Sequence, residues 1–165
     1  MKTYVLTVSR TFPANHKRKG DKTYFEDKIL KRYSDFDNFL GWQKIHTIRA
    51  NYPFWEKRIK KVQEGKAVLS IRYWSGKPYN SKQVEICQLD ENSGIGIENL
   101  HAPNWHLEKN RINELCIWGE NIGMHIQTEV LAKNDGLSID DFEEWFKKYN
   151  LSEPMAIIHF TKFRY

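Results

Sequence analysis

Between Ser138 and Tyr149 the chain sets Phe142, Trp145, Phe146 and Tyr149 at i, i+3, i+4 and i+7, a broad aromatic helical stripe. A helix with that face needs another layer to cover it, and the rest of the chain supplies the material as strands. Residues 4–8 are β-rich and extend to about Phe12, where Pro13 stops regular pairing. Residues 66–74 and 81–89, joined by Ser75-Gly76-Lys77-Pro78, read as a hairpin. Residues 95–98 form a further strand, 115–118 another that turns at Gly119, and 157–163 the closing one. Helices alternate with these strands. Residues 23–33 place Phe25, Ile29 and Tyr33 on one face, and 35–40 form a short helical turn before Gly41. Asn51 caps a helix with Pro53 in its first turn, Trp55, Ile59 and Val62 on its apolar side, and Gly65 at its end. Residues 128–133 form a short helix that Asn134-Asp135-Gly136 terminates, and Ser138 with Asp141 approximates a capping box for the next. The pattern is α+β. No repeat or low-complexity linker divides it, so residues 1–165 are expected to form a single domain.

Composition narrows the class. With 165 residues, 40% hydrophobic and 14% aromatic, the chain has enough apolar material for a core and is not disordered. Cys87 and Cys116 have neither metal spacing nor a disulfide framework, which points to a reducing compartment. No apolar run reaches the ~20 residues of a membrane span, and no signal-peptide core precedes the first strand. The expectation is a cytoplasmic protein. Charge is uneven: residues 1–82 carry 19 Lys+Arg against 7 Asp+Glu, a net +12, while residues 83–165 carry 7 against 14, a net −7. Such a split suits a basic face for a polyanion, or two halves that pair within one fold.

The densest functional signal is Lys44-Ile45-His46-Thr47-Ile48-Arg49. A point-charge cation, a hydroxyl and a planar guanidinium share six residues, a set suited to an anionic or carbonyl-rich ligand. The alternative is a strand with Ile45 and Ile48 packed inward and its polar residues solvated. In a regular strand Lys44 and Thr47 face opposite ways, so they can meet only if the backbone bends near Ile45 or His46.

Gly41-x-x-Lys44-x-x-Thr47-x-Arg49 resembles the signature of ASCH domains in the PUA-like superfamily, with one residue more between glycine and lysine than the family form. The order of elements, the Gly136-Leu137-Ser138-x-x-Asp141-Phe142-x-x-Trp145-Phe146 helix and the closing strand resemble the family too. Residues 100–123 are the part the likeness covers least, a candidate family-specific insertion. The resemblance implies a PUA-like small β-barrel with flanking helices and a cleft lined by Lys44, Thr47 and Arg49. It implies a module that binds RNA, another nucleic acid or a modified nucleotide or nucleoside. One ASCH branch resembles a small amidohydrolase acting on acetylated cytidine. There Lys44 and Thr47 match the lysine and threonine, and Asp135 stands where a glutamate is expected.

Further ligand-binding candidates are Arg10, Arg72, Trp74 and Lys77. Near the hairpin turn, Arg72, Tyr73, Trp74, Lys77 and Tyr79 mix cations with aromatic surface, which suits base stacking beside phosphate contacts. Because Tyr73 and Trp74 point to opposite faces, one of them is expected in the core. The basic loop His16-Lys17-Arg18-Lys19-Gly20 is either solvated or phosphate-facing. His101, His106 and His125 lack zinc spacing, so neither a metal nor another cofactor is expected.

Overall fold

A computed structural model describes residues 1–31, 42–101, 115–118, 123–150 and 152–165. Its strands are β1 (Lys2–Thr7), β2 (His46–Ala50), β3 (Ala67–Trp74), β4 (Gln83–Leu89), β5 (Gly96–His101), β6 (Leu115–Trp118), β7 (Gly123–Ile126) and β8 (Met155–His159). Its helices are α1 (Phe25–Leu30), α2 (Tyr52–Gln63), α3 (Thr128–Asn134) and α4 (Ile139–Phe146). Together they make one α+β domain with two sheets. The first has the order β1-β3-β4, with β1 parallel to β3; the second has the order β2-β8-β5-β6-β7 and is antiparallel throughout.

The expected barrel is not closed among the described residues. Strand β1 bonds β3 on one edge, and the ladder ends where the Val8 amide donates to the Arg72 carbonyl at 2.8 Å. On the side of β2 the tie is a side chain: the Arg49 guanidinium donates to the Thr7 carbonyl at 2.5 Å. A cavity opens at this junction, where a ladder would have closed the sheets.

Helix α2 packs on β3, β5 and β8 and thereby spans both sheets. Ile59 and Val62 supply its buried side, and the Asn51 side chain accepts from the Phe54 amide at 3.2 Å to cap it. Its cations are partly absorbed by aromatic packing, with the Arg58 guanidinium 3.8 Å from the Phe54 ring centre. Helix α4 buries Phe142 and Phe146, each worth about 1.5–3 kcal/mol of transfer free energy, while Tyr149 stays largely exposed. Trp145 completes the aromatic layer against Phe12 and Phe25, with ring centres 5.7 and 5.8 Å away.

Several expected boundaries move. Strand β1 stops at Thr7 rather than near Phe12, because the chain turns away to bridge Thr11 with Lys22. Strand β8 begins directly after Pro154 and ends before Thr161, so the closing strand is residues 155–159 rather than 157–163. The capping box is only half made. The Ser138 hydroxyl accepts from the Asp141 amide, but the Asp141 carboxylate accepts from Arg18 at 2.7 Å instead of returning to the cap. Tyr33, the turn at 35–40, Gly41 and Gly119 lie outside the described residues. Of the candidate insertion 100–123, Leu100 and His101 end β5, residues 115–118 form β6 and Gly123 opens β7; the remainder also lies outside. No helix among the described residues is long and apolar enough to cross a membrane.

Candidate functional site

A cavity of about 210 Å³ lies at the junction of the two sheets. Its polar wall comes from Lys44, Thr47 and Arg49, with Asp135 arriving from the turn after α3. Trp74, Tyr79, Trp145 and Phe25 form the apolar wall. The convergence of Lys44 with Thr47 follows from the backbone. Regular β2 pairing starts at His46, whereas Lys44 makes an isolated bridge to Asp135 and the Ile45 amide donates to the Asn134 carbonyl at 2.9 Å. Strict alternation therefore does not extend across Ile45, and both side chains reach one cavity.

Lys44 is 2% exposed. Its ammonium donates to Oδ1 of Asp135 at 2.5 Å and to the Asp135 backbone carbonyl at 2.9 Å, and it sits 4.2 Å from the centre of the Phe25 ring. Burial pushes the Lys44 pKa below its ordinary value and the charge of Arg49 pushes the same way, while Asp135 opposes both. Burial alone would raise the Asp135 carboxyl, but Lys44 and His46 beside it hold it below the usual carboxylate range. Arg49 is also lowered by burial, without losing its charge. The Thr47 hydroxyl has no hydrogen-bond partner among the described residues, although the residue is almost wholly buried and borders the cavity.

Behind this wall lies a second polar layer. The Tyr165 hydroxyl is 2.7 Å from Nε2 of His46 and accepts from the Asn134 amide at 2.9 Å. The direction of the Tyr165–His46 contact follows the imidazole tautomer. Nδ1 of His46 is buried without a hydrogen-bond partner among the described residues and faces Oδ1 of Asp135 at 3.7 Å. Burial lowers the His46 pKa to about 4, so the ring is neutral at physiological pH. His159 and Glu98 extend the layer through a 2.6 Å contact, and Glu98 also accepts from the Tyr165 amide.

The other expected residues divide. Trp74 borders the cavity and also a neighbouring one of about 530 Å³, which Arg10 and Lys22 line together with Glu26 and Asp27. Neither Tyr73 nor Trp74 enters the core: both are half-buried at the end of β3, Tyr73 under Arg10 at 4.8 Å and Trp74 against both cavities. Arg72 lies away from both, donating to the Ser70 hydroxyl at 2.7 Å with its guanidinium 3.8 Å from Glu85. Lys77 belongs to the hairpin turn and lines neither cavity. In the basic loop, His16 is buried against Phe12 and Arg18 binds Asp141, so both have structural partners.

Phe25, Trp145 and Phe146 were not expected at the site. Trp145 and Phe146 belong to the aromatic stripe, whose pattern marks them as packing residues and carries no sign that their edge borders a cavity. Among the described residues no group of three or more His, Cys, Asp or Glu side chains is arranged to hold a metal ion. Compared with protein-family models, curated proteins and solved structures, the chain matches none.

Proposed function

We infer that the Lys44–Arg49 cavity binds a single nucleobase or nucleoside, as an ASCH-like, PUA-like module of RNA or modified-nucleoside recognition. The observation that carries this reading is the meeting of Lys44, Thr47, Arg49 and Asp135 with Trp74 and Trp145 around one 210 Å³ space. That volume is below the roughly 300–1,000 Å³ of pockets that engulf a drug-sized ligand, which favours one ring system over a strand. Asp135 compensates the Lys44 charge, so the deep wall suits a polar, carbonyl-bearing ring better than a phosphate. Arg49 has donors left for a base edge, and the aromatic wall offers stacking, the combination by which exposed bases are read. The cytoplasmic placement within this reading rests on Cys87 and Cys116, whose spacing suits neither a disulfide framework nor a metal.

The test is calorimetric titration with nucleosides, including acetylated cytidine, mononucleotides and short RNA and DNA oligomers. Arg49→Ala is expected to weaken nucleoside binding; no saturable binding by the wild type, or equal binding by the variant, refutes the reading.

A second reading, hydrolysis of the acetyl amide of acetylated cytidine, is favoured by the convergence of Lys44, Thr47 and Asp135. In its neutral form, which burial and the charge of Arg49 favour, the Lys44 amine takes the Thr47 proton as Oγ1 attacks the amide carbonyl. Arg49 stabilises the oxyanion, the amine leaves with a proton, and water then releases acetate from the threonine ester. Acetate release by wild type and none by Thr47→Ala is the expected result; equal rates exclude Thr47 as the nucleophile.

A further inference from the structure

On the other side of the Asp135–Gly136 turn, a second cavity of about 260 Å³ is lined by Arg18, Lys22 and Lys28, with Asp141 and Ser138 opposite. The one carboxylate is already engaged. Oδ2 of Asp141 accepts from Arg18 at 2.7 Å, and its Oδ1 lies 3.8 Å from His16. Lys28 is in the opposite condition. It is half-buried, its ammonium donates to the Gly136 carbonyl at 2.6 Å, and no carboxylate lies within ion-pair distance of it among the described residues. Lys22 likewise has no ion-pair partner there. Three cations thus line a concave space with one lining acid, Asp141, while Asp21 outside it also holds Arg18 at 3.1 Å; among the described residues the most buried of the three has only a neutral acceptor. Such a group is costly unless an anion joins it.

We propose that the Arg18–Lys22–Lys28 cavity is a binding site for a phosphate-class oxyanion, separate from the Lys44–Arg49 cavity. Arg18 donates through Nε to Asp21 and through Nη1 to Asp141, which leaves Nη2 for a ligand, while Lys22 and Lys28 supply point charges. This combination fits a tetrahedral oxyanion better than a flat carboxylate. The source is either a free anion or the phosphate of a nucleotide, since Lys22 and Tyr24 also line the 530 Å³ cavity.

Occupancy leaves a distinctive trace. Burial first, then the charges of Lys44 and Arg18, lowers the Lys28 pKa to about 8, with Asp141 and Asp135 opposing. A bound anion favours the charged amine, so binding at pH 8 takes up protons. Sulfate is the probe, because it does not titrate in this range. Calorimetry of the full chain at pH 8, in buffers of different ionisation enthalpy, is expected to show saturable binding with proton uptake. Lys28→Gln is expected to abolish the uptake and weaken binding by about tenfold or more, as for loss of a charge-assisted contact. Lys22→Gln, at an exposed position where folding is undisturbed, weakens binding several-fold, and Arg49→Ala leaves it unchanged. Inorganic phosphate compared with oligonucleotides with and without a 5′-phosphate distinguishes the two sources. Absence of saturable binding, binding with no proton uptake, or wild-type affinity in Lys22→Gln overturns the proposal.

Discussion

The ammonium of Lys44 lies 2.5 Å from Oδ1 of Asp135, and both side chains are almost completely shielded from water. The two residues are 91 positions apart in the chain, so the pair ties the start of β2 to the turn between α3 and α4. Removing one partner leaves the other charged and buried. Lys44→Met and Asp135→Leu are each expected to lower stability by about 3–5 kcal/mol, and the double variant by less than the sum. Urea unfolding of all four proteins completes the cycle, and strict additivity would mean that the pair is not coupled.

His46 makes stability depend on pH. Its folded pKa is about 4, against ~6.5 for an unfolded histidine. Between those values the unfolded chain binds the extra proton, so stability falls as pH drops from about 6.5 towards 4 and levels off below. The loss from this group approaches roughly 3 kcal/mol. Unfolding midpoints measured across that range for the wild type and for His46→Gln check this; the variant is expected to show a flatter profile.

Tyr165→Phe deletes one oxygen and leaves the buried His46 and the half-buried Asn134 without their shared partner. A loss of about 1–3 kcal/mol is expected. Chemical denaturation measures it, and an unchanged midpoint would show that water replaces the hydroxyl.

Trp74 and Lys77 are three residues apart, yet of the two it is Trp74 that borders the 210 and 530 Å³ cavities. Trp74→Ala is expected to weaken nucleoside binding by the ~1–3 kcal/mol typical of base stacking. Lys77→Ala is expected to change it little. Parallel titrations of the two variants compare them directly.

The α+β class, the hairpin and three of the four helices among the described residues were legible in the sequence because local chemistry specifies them: Asn51 and Ser138 as caps, the Gly136 stop, and the Ile59–Val62 stripe. Helix α1 is shorter than its pattern suggests. Strand β7 carries no comparable signal, since Gly123 to Ile126 is short and largely exposed. Lys44, Thr47 and Asp135 could be named from residue type and resemblance, but not their meeting. That depends on β2 pairing beginning at His46, a long-range outcome set by the bridge to Asp135. Closure of the sheets was equally illegible. A barrel and two sheets joined by an arginine side chain have the same alternation of residues along each strand.

Gly136 adopts φ +77°, and a methyl group built there would lie 3.1 Å from Cβ of Lys44 and 3.3 Å from Cδ of Lys28. Each lysine belongs to a different cavity, so the partition between them is one residue thick. Neither chamber can be reshaped from that side without pressing on the other. A ligand that draws Lys28 away from the Gly136 carbonyl would loosen the same turn that presents Asp135. The two compartments therefore share a wall at a single α-carbon, and a side chain added at Gly136 would press on a lysine of each.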